Sequence, residues 1–143
     1  TQAFFGMQST CLDLARFGQL FEQDGEWDGE QLLPQAWVKD AVGRSSQRLN
    51  AAYGLLWWLN RKGPQLGAVE EVGAQPRSGQ LVPGAPEDLY AAIGFGGQVV
   101  MVDPGSGTVV VRLGTLGAGA SPTAGAYSLG NAAQVVTEAL VQP

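Results

Sequence analysis

The stretch YAAIGFGGQVVMVDPGSGTVVVR, residues 90–112, decides the fold. Residues 98–102 and 108–112 are two β-branched runs separated by Asp-Pro-Gly-Ser-Gly at 103–107, and apolar runs flanking a turn rich in Pro and Gly are the signature of a β-hairpin. Residues 90–95 form a further apolar strand, broken by glycine. Gly94, Gly96 and Gly97 fall where that strand should continue, and glycine weakens a strand unless another backbone or a ligand has to come close. The bland alternative is a bulge or tight bend demanded by helix packing.

Outward from this stretch the pattern changes. Residues 61–87 carry much of the Gly and Pro with little periodicity, which predicts a long excursion with one short strand near 66–72. Before it, YGLLWWL at 53–59 is apolar on both faces and aromatic-rich, predicting a central strand. Trp57 and Trp58 there fit either buried packing or a ligand platform. Thr10 followed by Asp13 predicts a capped helix start, with Leu14, Phe17 and Phe21 at helical spacing and a left-handed stop at Gly25. Glu26-Trp27-Asp28-Gly29-Glu30 reads as a solvated acidic turn, since the ligand spacing of a calcium loop is missing. Pro34 opens a second helix that carries Trp37, Val38 and Ala41 and closes at Gly43. Beyond the hairpin, 114–125 is a Gly/Ala/Ser-rich loop, and Leu129, Ala132, Ala133, Val136 and Leu140 line one face of a terminal helix. The expected architecture is α+β, an antiparallel sheet flanked by helices, with residues 1–143 making one domain or part of one.

Composition narrows the function. With 45% hydrophobic and 15% charged residues the chain is of globular type, and no apolar run is long enough to cross a bilayer. A net charge of −5 supplies no basic field for nucleic acid. There is no histidine, so a Ser-His-Asp or Cys-His site and histidine-ligated zinc are excluded, and no cofactor or metal is expected. The single cysteine, Cys11, rules out an internal disulfide and reads as a packing residue rather than a nucleophile.

Residues 93–98 (IGFGGQ), leading into VVMVDP and VVVRL, resemble the serine hydrolases of the β-lactamase and D-alanyl-D-alanine peptidase family, with its class C-like members, esterases and aminohexanoate-dimer hydrolases. GMQSTCLDLARFGQLFEQDGEWDGEQLLPQAWV at 6–38 and AYGLLWWL at 52–59 are similar to the helix, turn, helix and strand that precede the last sheet strands in such proteins. The resemblance covers nearly the whole chain, but only as the C-terminal portion of the family's usual length.

It implies an acyl-enzyme mechanism on amide or ester bonds. In the family a motif that is often Lys-Thr-Gly lies on the strand edging the site, and the backbone N–H after its glycine helps to form the oxyanion hole. By position Gly94 matches the glycine, Phe95 supplies the N–H, and Gly96, Gly97 and Gln98 border the substrate. Gln98 is open to two readings, a site-facing amide or the first strand residue. Ala92 and Ile93 stand in place of the motif's Lys and Thr, which puts carboxylate recognition in doubt and favours an amide or ester substrate.

The family's Ser-x-x-Lys and its Tyr-x-Asn or Ser-x-Asn are absent: Lys39 and Lys62 follow Ala36 and Leu59 at that spacing. The expectation is a chain inactive alone, whose partner is the N-terminal half of the same fold carrying serine, lysine and tyrosine, and which self-associates when that half is missing. The rival expectation is a non-catalytic binding module that uses the Trp57/Trp58 strand and the 61–87 excursion. Compartment stays open, since the family includes periplasmic, secreted and cytoplasmic proteins.

Overall fold

The computed structural model describes residues 6–66, 77–94, 98–114 and 139. Helix α1 spans Cys11–Glu22, and a short hairpin follows from β1 (Glu26–Trp27) and β2 (Glu30–Gln31). Next come helix α2 (Gln35–Gly43), β3 (Trp58–Leu59), β4 (Gly63–Gln65), β5 (Arg77–Gly79), β6 (Tyr90–Gly94), β7 (Gln98–Asp103) and β8 (Thr108–Arg112). The main sheet has four antiparallel strands in the order β3-β6-β7-β8, and the chain is α+β.

Helix α1 begins as its sequence dictates. The Thr10 hydroxyl accepts from Asp13 N–H, and Asp13 in return accepts from Thr10 N–H at 3.2 Å, so two of the orphan donors at the helix start are satisfied. At the other end Gly25, at φ 87°, donates to Leu20 O and turns the chain out of the helix.

Gly18, mid-helix, lets α1 lie close on the sheet. A Cβ there would come within 2.5 Å of Val109 Cγ1 and 3.1 Å of Val100 Cγ1. The cost of a helical glycine, about 1 kcal/mol relative to alanine, is therefore exchanged for contact between helix and strands.

Because strand side chains alternate, β6, β7 and β8 feed two cores. On the helical face Tyr90 and Val102 join Phe21, Val38, Ala41, Trp57 and Leu59. On the opposite face Ala91, Val99 and Met101 join Val82, Ala85 and Leu89. Trp57 is the hub of the first core. Its ring lies 4.7 Å from Phe21, 5.1 Å edge-on to Tyr90 and 5.8 Å stacked on Phe17, contacts worth roughly 0.5–1.5 kcal/mol each beyond the area they bury. Among the described residues the ion pairs Arg16–Asp13, Lys39–Asp24, Arg44–Asp40 and Lys62–Glu87 are solvent-exposed, so they add little beside the packing.

Among the described residues no helix lies over the second core. Its cover is the irregular segment 81–89, tied down by Asn60, which is fully buried. The Asn60 amide donates to Val82 O, Ala85 O and Pro86 O at 2.8–3.2 Å and accepts from Val82 N–H at 2.6 Å.

Several expectations are corrected. Residues 53–59 are not a central strand: only Trp58 and Leu59 pair, at the sheet's edge, while Tyr53 bridges Trp58 across a reversal in which Gly54 N–H donates to Trp57 O. Gly54 is pressed against Ala41 O, where no side chain fits, and Leu56 takes φ 67°, which breaks a strand. The acidic turn is a hairpin, with Asp28 and Gly29 both at positive φ as a two-residue turn of type I′ requires.

The excursion contributes two described short strands, β4 at 63–65 and β5 at 77–79, paired with each other. Most of 66–72 lies outside the described residues, as do the loop and terminal helix expected after Gly114, apart from residue 139. Cys11 is exposed in the first turn of α1 and packs no core.

Candidate functional site

Of the predicted site residues the structure describes Gly94 and Gln98, which pair at the end of the β6–β7 ladder. Gly94, the exposed last residue of β6, sits opposite Gln98, the half-buried first residue of β7. A Cβ on Gly94 would stand 3.2 Å from that of Gln98, so glycine keeps this rung uncrowded. Phe95, Gly96 and Gly97 join the two paired ends and lie outside the described residues, so the roles assigned to them remain expectations. Of the three glycines only Gly94 is described, and it ends β6.

Strand β6 is paired unevenly. On one side β7 covers all five residues, whereas on the other β3 covers only Tyr90 and Ala91. Among the described residues nothing pairs with Ala92, Ile93 or Gly94 on that second side. Alternate N–H and C=O groups of an edge strand point outward, where a ligand's polar groups can take them up. The side chains here are apolar and packed, Ala92 against the helical core and Ile93 against the other. The polar groups that these residues offer are those of the backbone.

The side chain of Gln98 is engaged with backbone. Its Nε2 donates to Gly114 O at 2.7 Å, and Gly114 N–H donates back to its Oε1 at 2.9 Å. Arg112 Nη1 also reaches Gly114 O, at 3.4 Å. Sequence reasoning missed this tie because it spans 16 residues and follows from strand register.

Of the groups that could act as acid or base, Tyr90 is buried, and burial first, then the Glu22 and Asp24 carboxylates, raises its phenol well above the ordinary value. It stays neutral at physiological pH. Asp13 is held below the usual carboxylate value by the Thr10 side chain and backbone N–H, a capping role. Trp57, a candidate for a contact surface, is 3% exposed and belongs to the core. Among the described residues no group of three His, Cys, Asp or Glu could hold a metal ion, and no helix is long and apolar enough to cross a membrane.

Two depressions lie elsewhere. One, of about 720 Å³, is lined by Gln19, Gln23, Glu26, Trp27, Asp28 and Gly29. The other, of about 510 Å³, is lined by Arg16, Phe17, Leu20, Trp27 and Leu32. Both are wide open to solvent, and neither is lined by a residue of β6 or β7. They bring no set of reactive side chains together, so the sheet end remains the better candidate.

No protein-family profile and no curated protein matches the chain. Among solved structures it is similar to a Bacillus anthracis protein provisionally named a 6-aminohexanoate-dimer hydrolase, with 26% identity, a TM-score of 0.48, and coverage of 72% of this chain and 22% of that one. The chain spans less than a quarter of that protein's length, and a likeness at this TM-score carries no argument by itself.

Proposed function

We propose that the chain is the C-terminal portion of a β-lactamase-like serine hydrolase that cleaves amide or ester bonds through an acyl-enzyme. Its contribution is the strand edging the site together with a backbone donor to the oxyanion hole. The observation that carries this reading is the side of β6 at Ala92–Gly94 with which no described residue pairs, and which ends at an exposed glycine. The residues IGFGGQ and those that precede them, by which the chain resembles the family, support it.

In this reading the scissile carbonyl lies with its oxygen against the N–H of Phe95. Negative charge that develops there on nucleophilic attack meets a donor already in place, and one such donor is worth about 3–4 kcal/mol. Gly94, Gly96 and Gly97 leave room for the acyl group. Serine and the lysine that takes its proton come from polypeptide outside this sequence, which contains no Ser-x-x-Lys.

Purified alone, the chain is expected to turn over neither nitrocefin nor p-nitrophenyl esters; turnover would contradict the assignment of the nucleophile to other polypeptide. Coding sequence ahead of Thr1 is expected to hold Ser-x-x-Lys followed by Tyr-x-Asn, and its absence there would defeat the hydrolase reading. Phe17, Leu32 and Trp37, each at least 42% exposed, are the apolar surface through which the isolated chain is expected to associate. Sedimentation as a stable monomer would count against that.

A further inference from the structure

The ladder between β7 and β8 runs from Asp103↔Thr108 to Val99↔Arg112. Continued at the same register, Gln98 would face Leu113, and Gly97 would face Gly114. The backbone of Gly114 is already taken, however, by the side-chain amide of Gln98, through one accepted and one donated hydrogen bond at 2.9 and 2.7 Å. A primary amide offers the same donor and acceptor as a peptide group, and this pair of bonds is what two facing residues exchange in an antiparallel sheet.

We propose that Gln98 is a positioning residue whose side chain stands in for a peptide unit. It closes the last rung of the β7–β8 ladder, so that the backbone of Gly114 is satisfied by a side chain rather than by a facing peptide group. The inference rests on the hydrolase reading for its consequence: with Gly114 already satisfied, the ladder does not require the residues ahead of Gln98 as partners, and they can serve a substrate carbonyl. It also bears on the two readings of Gln98: both polar atoms of the amide hold Gly114, which fixes the side chain along the ladder as a positioning group. Gly94, opposite Gln98, completes the device, because a larger residue would press on the Gln98 Cβ, 3.2 Å from where its own would stand.

The test has two arms. In the first, amide exchange of the chain as it stands is followed by NMR for the wild type, Gln98→Met and Gln98→Glu. Methionine keeps the shape and loses both bonds, so the Gly114 N–H is expected to exchange about tenfold faster or more. Glutamate keeps the acceptor and is expected to hold that N–H near its wild-type rate. Gly114 exchange unchanged in Gln98→Met would overturn the inference.

In the second arm, the longer protein that includes the serine and lysine is assayed on p-nitrophenyl esters. Gln98→Met is expected to lower kcat about tenfold with KM held, because the donor is misplaced rather than the substrate released. A rise in KM with kcat unchanged would return Gln98 to substrate binding and overturn the inference. If the longer protein hydrolyses nothing, the hydrolase reading fails, and the exchange arm still decides the role of Gln98 in the ladder.

Discussion

On one side of the four-stranded sheet α1 and α2 bury an aromatic cluster centred on Trp57, whereas on the other an irregular segment, 81–89, is held down by the amide of Asn60. The first cover is bonded within itself and needs the sheet only for its apolar stripe. Backbone groups of the second have few partners of their own, and one asparagine supplies several of them. A sheet can therefore be closed by burial alone where helices lie on it, but needs a buried polar anchor where a loop does.

The sharpest way to break this comparison is Trp57→Ala, which removes the hub of the helical face and is expected to cost about 3–5 kcal/mol in urea unfolding. A loss below about 1 kcal/mol would mean that the aromatic cluster is not what holds the helices down.

Asn60→Ala comes next, at about 2–3 kcal/mol, because it strands buried carbonyls and the N–H of Val82. Its effect is expected to be local, with faster amide exchange at Val82, Leu89 and Met101 while the far-ultraviolet helix signal of α1 persists. Equal acceleration throughout the chain would show the two faces to be one cooperative unit.

Gly18→Ala sharpens the helical side. Overpacking against Val109 and Val100, less the gain in helix propensity, is expected to lower stability by about 1–2 kcal/mol. An increase in melting temperature would show that α1 does not sit tightly on the sheet.

The smallest effect belongs to the cap: Thr10→Ala is expected to cost about 1 kcal/mol at neutral pH. Because Asp13 titrates below its ordinary 3.8 in the folded state, its contribution is present above that pH and fades as pH falls through the lowered value. The acid-side loss of helix signal is therefore expected to flatten in Thr10→Ala. At the alkaline end Tyr90, with its phenol raised, contributes stability below pH 10.0 that is lost as pH rises above it, when the unfolded chain ionises first.

The helical face was legible in the sequence, and the other was not. Thr10, Asp13 and Gly25 announce α1 because capping chemistry is local, and the β-branched runs around Asp103–Gly107 announce β7 and β8 for the same reason. The segment 81–89 has no period to read, with Pro83, Gly84 and Pro86 marking it as loop, so its burial depends on an Asn60 amide more than twenty residues away. YGLLWWL misleads because an apolar run does not show that Leu56 will take a left-handed conformation. Asp28-Gly29 did carry a hairpin signal, obscured by the acids around it.

At the candidate site the glycine cluster stands out on composition, while the engagement of Gln98 is a matter of register and emerges only once the strands are paired.

Three of the four strands in the main sheet are neighbours in sequence as well as in space, running through residues 90–112 as a meander. Closing such short connections costs little chain entropy, whereas bringing in β3 encloses the whole span between Leu59 and Tyr90. The meander is thus placed to form early as a folding nucleus on which β3 and the helices condense.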